Sequence, residues 1–141
     1  MKRLLTIIFT LFSLVTFLKC GTMSTLTYHY IDGSNNQYII TPDTISYKPM
    51  TPELSSSGTY SGGEPKDKKI SPELYEQISK AFQSAKAAKW EHIEKRQMGS
   101  GMVKAFTEGE LEYKFLLAMR SNLKSQIETL LASAIDSAEN Q

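Results

Sequence analysis

Apolar residues recur along this chain with two different periods, and each change of period marks an element. In Leu26-Thr27-Tyr28-His29-Tyr30-Ile31 β-branched and aromatic residues dominate, Asp32-Gly33-Ser34-Asn35-Asn36 supplies turn formers, and Gln37-Tyr38-Ile39-Ile40-Thr41 returns to strand composition. This pattern predicts a β-hairpin. Pro42 and Asp43 interrupt it, and Thr44 to Lys48 reads as a third short strand with Ile45 and Tyr47 on one face.

From Leu74 the period lengthens. Leu74, Ile78, Ala81, Phe82, Ala85 and Ala88 fall three or four apart, with Glu76, Lys80 and Lys86 off that stripe, which predicts an amphipathic helix ending near Lys89 or Trp90. Ser71 can cap it, Pro72 takes the first helical position where its missing N–H costs nothing, and Glu73 meets the positive end of the dipole. Alanines along the stripe predict close approach to a sheet.

The shorter period returns at Met102-Val103-Lys104-Ala105-Phe106, after a Gly99-Ser100-Gly101 segment suited to a bend or bulge. Glu108-Gly109 forms a turn, beyond which Leu111, Tyr113, Phe115, Leu117 and Met119 alternate with Glu110, Glu112 and Lys114. A second hairpin is expected here, as the central ribbon of the sheet. Ser121 or Asn122 then caps a last helix carrying Leu123, Ile127, Leu130, Leu131, Ala134, Ile135 and Ala138. The expected fold is α+β, an antiparallel sheet of four to five strands in the order ββ(β)-loop-α-ββ-α, with two helices packed on one face.

Between strands and helix the pattern lapses. All five prolines lie from Pro42 to Pro72, and Ser55 to Pro65 is a Ser/Gly/Thr run with one aromatic, Tyr60. Such a stretch has too little apolar surface to offset the entropy of ordering, so residues 49–70 are expected to form an exposed loop. Tyr60 there either folds back onto the core or is presented to a partner.

The start of the chain belongs to a different class. Lys2 and Arg3 precede an uncharged run from Leu4 to Leu18 that stops at Lys19, and this is the build of an export signal. The run has 15 residues, short of the roughly 17 to 25 that a lasting membrane span requires. Phe17-Leu18-Lys19-Cys20 at its end resembles the lipobox of bacterial lipoprotein precursors, with Lys19 standing where that family usually carries a small residue. The resemblance covers about the first 21 residues. It implies cleavage before Cys20 and a diacylglyceryl group on its thiol. Ordinary signal peptidase, cutting near Thr22-Met23-Ser24, is the rival route. Cys20 is the single cysteine, so an intramolecular disulfide is excluded and an acyl acceptor is its natural use. The organisation expected is an export signal at 1–19, a tether at 20–25 and one domain at 26–141, sited in a bacterial cell envelope; secretion as a soluble or periplasmic protein is the alternative.

Composition narrows the partners. Lys2, Arg3 and Lys19 leave with the signal, so 13 of the 16 Lys and Arg remain against 15 Asp and Glu. A mixed, weakly acidic surface predicts no nucleic-acid partner. His29 and His92, the two histidines, lack metal-ligand spacing, and His92 with Glu91 and Glu94 would make a weak site only if folding brought His29 close. Ser55 to Ser57 lack the glycines of a nucleophile elbow. No catalytic residue, cofactor or metal is expected.

Recognition by surface remains. Five of the seven tyrosines, Tyr28, Tyr30, Tyr38, Tyr47 and Tyr60, lie in the N-terminal half, where they either supply interface area or pack on a pleated surface. The expected function is a membrane-anchored binding module that meets a protein partner through Ser57, Thr59, Tyr60, Ser61 and Glu64. Alternatives are a small exported inhibitor that inserts loop 55–65 into a hydrolase, and an enzyme.

Overall fold

A computed structural model describes residues 25–137, so the expected export signal and tether, Cys20 included, and the final Ala138-Glu139-Asn140-Gln141 lie outside the described residues. Seven strands form one sheet: β1 (Thr27–Ile31), β2 (Gln37–Ile40), β3 (Thr44–Lys48), β4 (Lys66–Lys69), β5 (His92–Ile93), β6 (Gly101–Thr107) and β7 (Glu110–Leu117). The helices are α1 (Pro72–Ala87) and α2 (Asn122–Asp136), and a single 3-10 turn spans Lys89–Glu91. The spatial order is β4-β3-β2-β1-β6-β7-β5, and every neighbouring pair is antiparallel.

The α+β class and the two helices match the sequence pattern, but the sheet is larger than four to five strands. The two additional strands are its edges. β4, Lys-Asp-Lys-Lys, falls inside the stretch 49–70 expected to be loop; its residues have low strand propensity, and the ladder on β3 supplies the order instead. β5 has two residues. A charged edge and a very short edge both discourage pairing with a further chain. β1, rather than the β6–β7 ribbon, occupies the centre.

Both helices cover one face. Tyr28 and Tyr30 of β1 are fully buried beneath them, together with Ile40, Ile45, Val103 and Leu117 from neighbouring strands. Ile78, Phe82 and Ala85 of α1 and Ile127, Leu131 and Ala134 of α2 close the core from above. Tyr28 stacks on Phe82 at 4.7 Å, and burial of an aromatic this size contributes about 1.5–3 kcal/mol. The two phenols then reach separate helices: Tyr28 bonds Ser79 of α1 at 2.7 Å, and Tyr30 donates to Glu128 of α2 at 2.8 Å. These two tyrosines are therefore core residues.

Capping agrees with the sequence. The Ser71 Oγ accepts from the Leu74 N–H with Pro72 at the first helical position, and the Ser121 Oγ accepts from the Lys124 N–H. Glu91 adds a carboxylate at the start of α2, accepting from the Ser121 hydroxyl and the Leu123 N–H, where the helix dipole favours negative charge. α1 ends at Ala87, slightly before the expected Lys89 or Trp90, and the 3-10 turn takes up the remainder.

One irregularity changes which side chains share a face. Ala105 opposes Tyr113 but Phe106 opposes Leu111, so Glu112 is an extra residue in β7. Leu111 thereby leaves the Tyr113 face to which simple alternation assigns it and stands 54% exposed opposite Phe106.

Candidate functional site

The most featured surface lies where β1 turns into β2. Asp32 organises that turn, its carboxylate accepting from the N–H groups of Ser34 and Asn36 and from the Asn36 Nδ2. Asn36, 6% exposed, joins the turn to loop 49–65. Its Nδ2 also donates to the Tyr60 hydroxyl at 3.1 Å, and its Oδ1 accepts from the Met50 N–H at 2.9 Å. The loop is closed further by the Gly62 N–H on the Met50 carbonyl and by the Tyr47 hydroxyl on the Gly62 carbonyl. A β-carbon at Gly62 would sit 2.1 Å from the Asn36 Oδ1, so glycine is required for this approach.

Opposite the loop stands the segment between β5 and β6. Arg96 donates to the Asp32 carbonyl and the Asn35 Oδ1, Ser100 closes the bend through the Gln97 carbonyl, and Gly33 packs on Gly99 closely enough that a β-carbon would meet its Cα at 2.6 Å. Loop and segment thus grip the same hairpin turn from two sides. An open cleft of about 500 Å³ is lined by Met50, Leu54, Ser57 and Tyr60 from the loop and by Arg96 and Met98 from the segment. Leu54 is 74% exposed and Met98 is 94% exposed. Met119 lies beyond Gly99, beside a neighbouring cleft reached past Met98.

The residues singled out in the sequence are divided by this arrangement. Ser57 and Tyr60 line the cleft, the Tyr60 hydroxyl turned onto Asn36. The Ser57 Oγ accepts from the N–H groups of Thr59 and Tyr60, holding the loop's own turn. Thr59 and Ser61 are exposed, and Glu64 lies on the other side of the loop with Tyr38, Tyr47 and Ile135. His29 and His92 do not converge: His29 is on the open face of central β1 against Phe106, whereas His92 is on edge strand β5, its ring stacked on Phe115 and its Nε2 at the Ala85 carbonyl.

Sequence reasoning missed Asn36, Leu54, Arg96 and Met98. Leu54 and Met98 carry a signal of a kind, each being an isolated apolar residue among polar neighbours. Arg96 and Asn36 carry none, because their roles depend on partners far along the chain. No family model, curated protein or solved structure matches this chain. Its function is therefore argued from the chemistry of its surfaces.

Proposed function

We propose that this chain is an extracytoplasmic lipoprotein, held to a membrane through an acylated Cys20, whose domain binds a protein partner in the cleft between loop 49–65 and the Arg96–Met98 segment. One observation carries the binding role: Leu54 and Met98, both exposed, line one cleft whose loop is held by Asn36. Thioether and aliphatic side chains adapt to varied apolar surfaces, and a rigid frame lowers the entropy lost on binding. The export-type run Leu4–Leu18 and the solitary Cys20 support the address.

The layout suits a tethered binder. Leu26 enters β1 at one end of the sheet and the cleft opens beyond the other end, about 17 Å away for five residues at ~3.4 Å each. A partner would thus be met on the side away from the anchor. Insertion of loop 55–65 into a hydrolase would instead call for a Tyr60 that projects, and its hydroxyl is bonded to Asn36.

Intact mass of the membrane-extracted protein beside a Cys20→Ala variant tests the address. A species that begins at residue 20 with added diacylglycerol and acyl mass supports it, and an unmodified soluble product starting near residue 25 overturns it. For the cleft, a photo-crosslinking residue placed at Met98 should form a discrete adduct in cells that is lost on Leu54→Asp. The same adduct from a probe at Lys80, exposed on α1, would overturn the assignment.

A further inference from the structure

The face of the sheet turned away from the helices carries an arrangement that the cleft does not use. Residues directly opposed in an antiparallel pair present their side chains on the same side. His29 opposes Lys104, and Lys104 opposes Lys114, so these three form a row across β1, β6 and β7. Apolar rows lie on both sides of it: Ile31, Met102 and Leu116 on one, Phe106 and Leu111 on the other. Successive rows are two residues apart along a strand, about 7 Å. Lys48 extends the positive surface, since it opposes Gln37, which opposes Ile31.

No ion pair among the described residues takes up this charge: the pairs are Lys66–Asp136, Lys80–Glu76 and Lys124–Glu128, and none includes Lys48, Lys104 or Lys114. Of the acids on the same face, Asp67 is engaged by the Ser46 hydroxyl and Glu112 is the extra residue of the bulge. The His29 imidazole senses the field: burial, then the charges of Lys104 and Lys48, hold its pKa below 6.5. Leu116 is buried and Leu111 exposed, while Ile31, Met102 and Phe106 are half-buried, large apolar residues on a face that antiparallel sheets usually leave polar.

We propose that this open face docks an acidic amphipathic segment of a partner protein, its carboxylates over the His29–Lys104–Lys114 row and its apolar side chains in the rows on either side. A second copy of the chain face to face would set lysine against lysine, and opposed like charges are destabilising. A bilayer separates headgroup from acyl chain by depth, whereas here cationic and apolar rows alternate side by side across one sheet face. A peptide helix or strand can interleave acidic and apolar positions at this spacing.

The test uses the full chain carrying Cys20→Ala and a fluorescent extended peptide in which Leu and Glu alternate at every second position with Ser between them, so that one strand face carries both at about 7 Å spacing. Binding is expected to weaken with added salt and to fall at least about tenfold on Lys104→Glu with Lys114→Glu, as expected for reversing charges at an interface. Lys104→Arg should keep it, and Lys80→Glu, a charge reversal on exposed α1 across the sheet, should leave it unchanged. Circular dichroism of each variant controls for folding. Three results would overturn the proposal: equal binding of a Lys and Leu peptide, indifference to the double charge reversal, or preference for phosphatidylglycerol vesicles or a single-stranded oligonucleotide over the acidic peptide.

Discussion

Asn36 fixes Tyr60: its Nδ2 donates to the Tyr60 hydroxyl at 3.1 Å while its Oδ1 accepts from the Met50 N–H at 2.9 Å. One amide of the β1–β2 turn therefore spans the loop that walls the cleft. Asn36→Asp keeps the shape but removes the donor and places a carboxylate against that of Asp32, which now accepts from the Asn36 Nδ2. The expected loss is about 1–3 kcal/mol, with faster proteolytic cleavage between residues 51 and 61. Unchanged cleavage would show that the loop is held by other means.

Met98 and Leu54 make the opposite prediction. Both stand in solvent, so Met98→Glu and Leu54→Asp should shift stability by no more than about 0.5 kcal/mol while abolishing partner capture at the cleft. A large fall in the urea midpoint of either variant would mean that these side chains support the fold.

Tyr30 ties the central strand to α2. Tyr30→Phe removes the hydrogen bond to Glu128, whose other carboxylate oxygen accepts from the nearly buried Lys124. A hydrogen bond to a charged group contributes about 1.5–3 kcal/mol, and the urea midpoint should drop accordingly. Burial, reinforced by the Glu128 charge, pushes the Tyr30 phenol far above its ordinary value of 10.0. An alkaline ultraviolet titration should consequently find as many phenols ionising near pH 10 in Tyr30→Phe as in the parent. One fewer would place Tyr30 in contact with water.

His29 gives a pH dependence with a defined sign. Its folded-state pKa lies below 6.5, so the unfolded chain takes up the proton more readily, and stability should fall as pH drops from about 7 to about 5.5. The loss begins at the unfolded value and is complete below the folded one. In His29→Gln the urea midpoint should change less over this interval, which lies above the range where most carboxylates protonate. An equal slope in both proteins would assign the effect to other groups.

Much of the fold is written in short-range pattern. The caps at Ser71 and Ser121, the helical stripes and the hairpins flanking 32–36 and 108–109 depend on residues within one turn of each other, so spacing suffices to find them. β4 escapes such a reading because Lys66 to Lys69 become a strand by pairing with β3. The bulge escapes it too, since an extra residue in β7 is visible only against its partner strand, and Leu111 changes face as a result.

The candidate sites divide in the same way. Sequence by itself determines the export-type run, the solitary Cys20, the α+β class and the loop that contains Tyr60. Tertiary structure alone decides that Tyr60 turns to Asn36, that Leu54 and Met98 line one cleft, and that His29, Lys104 and Lys114 align. The physical reason is range. Periodicity and capping report interactions along the chain, whereas a cleft or a charged row is assembled from residues 24 to 85 positions apart, and the strand register that brings them together is set by burial of the whole sheet face.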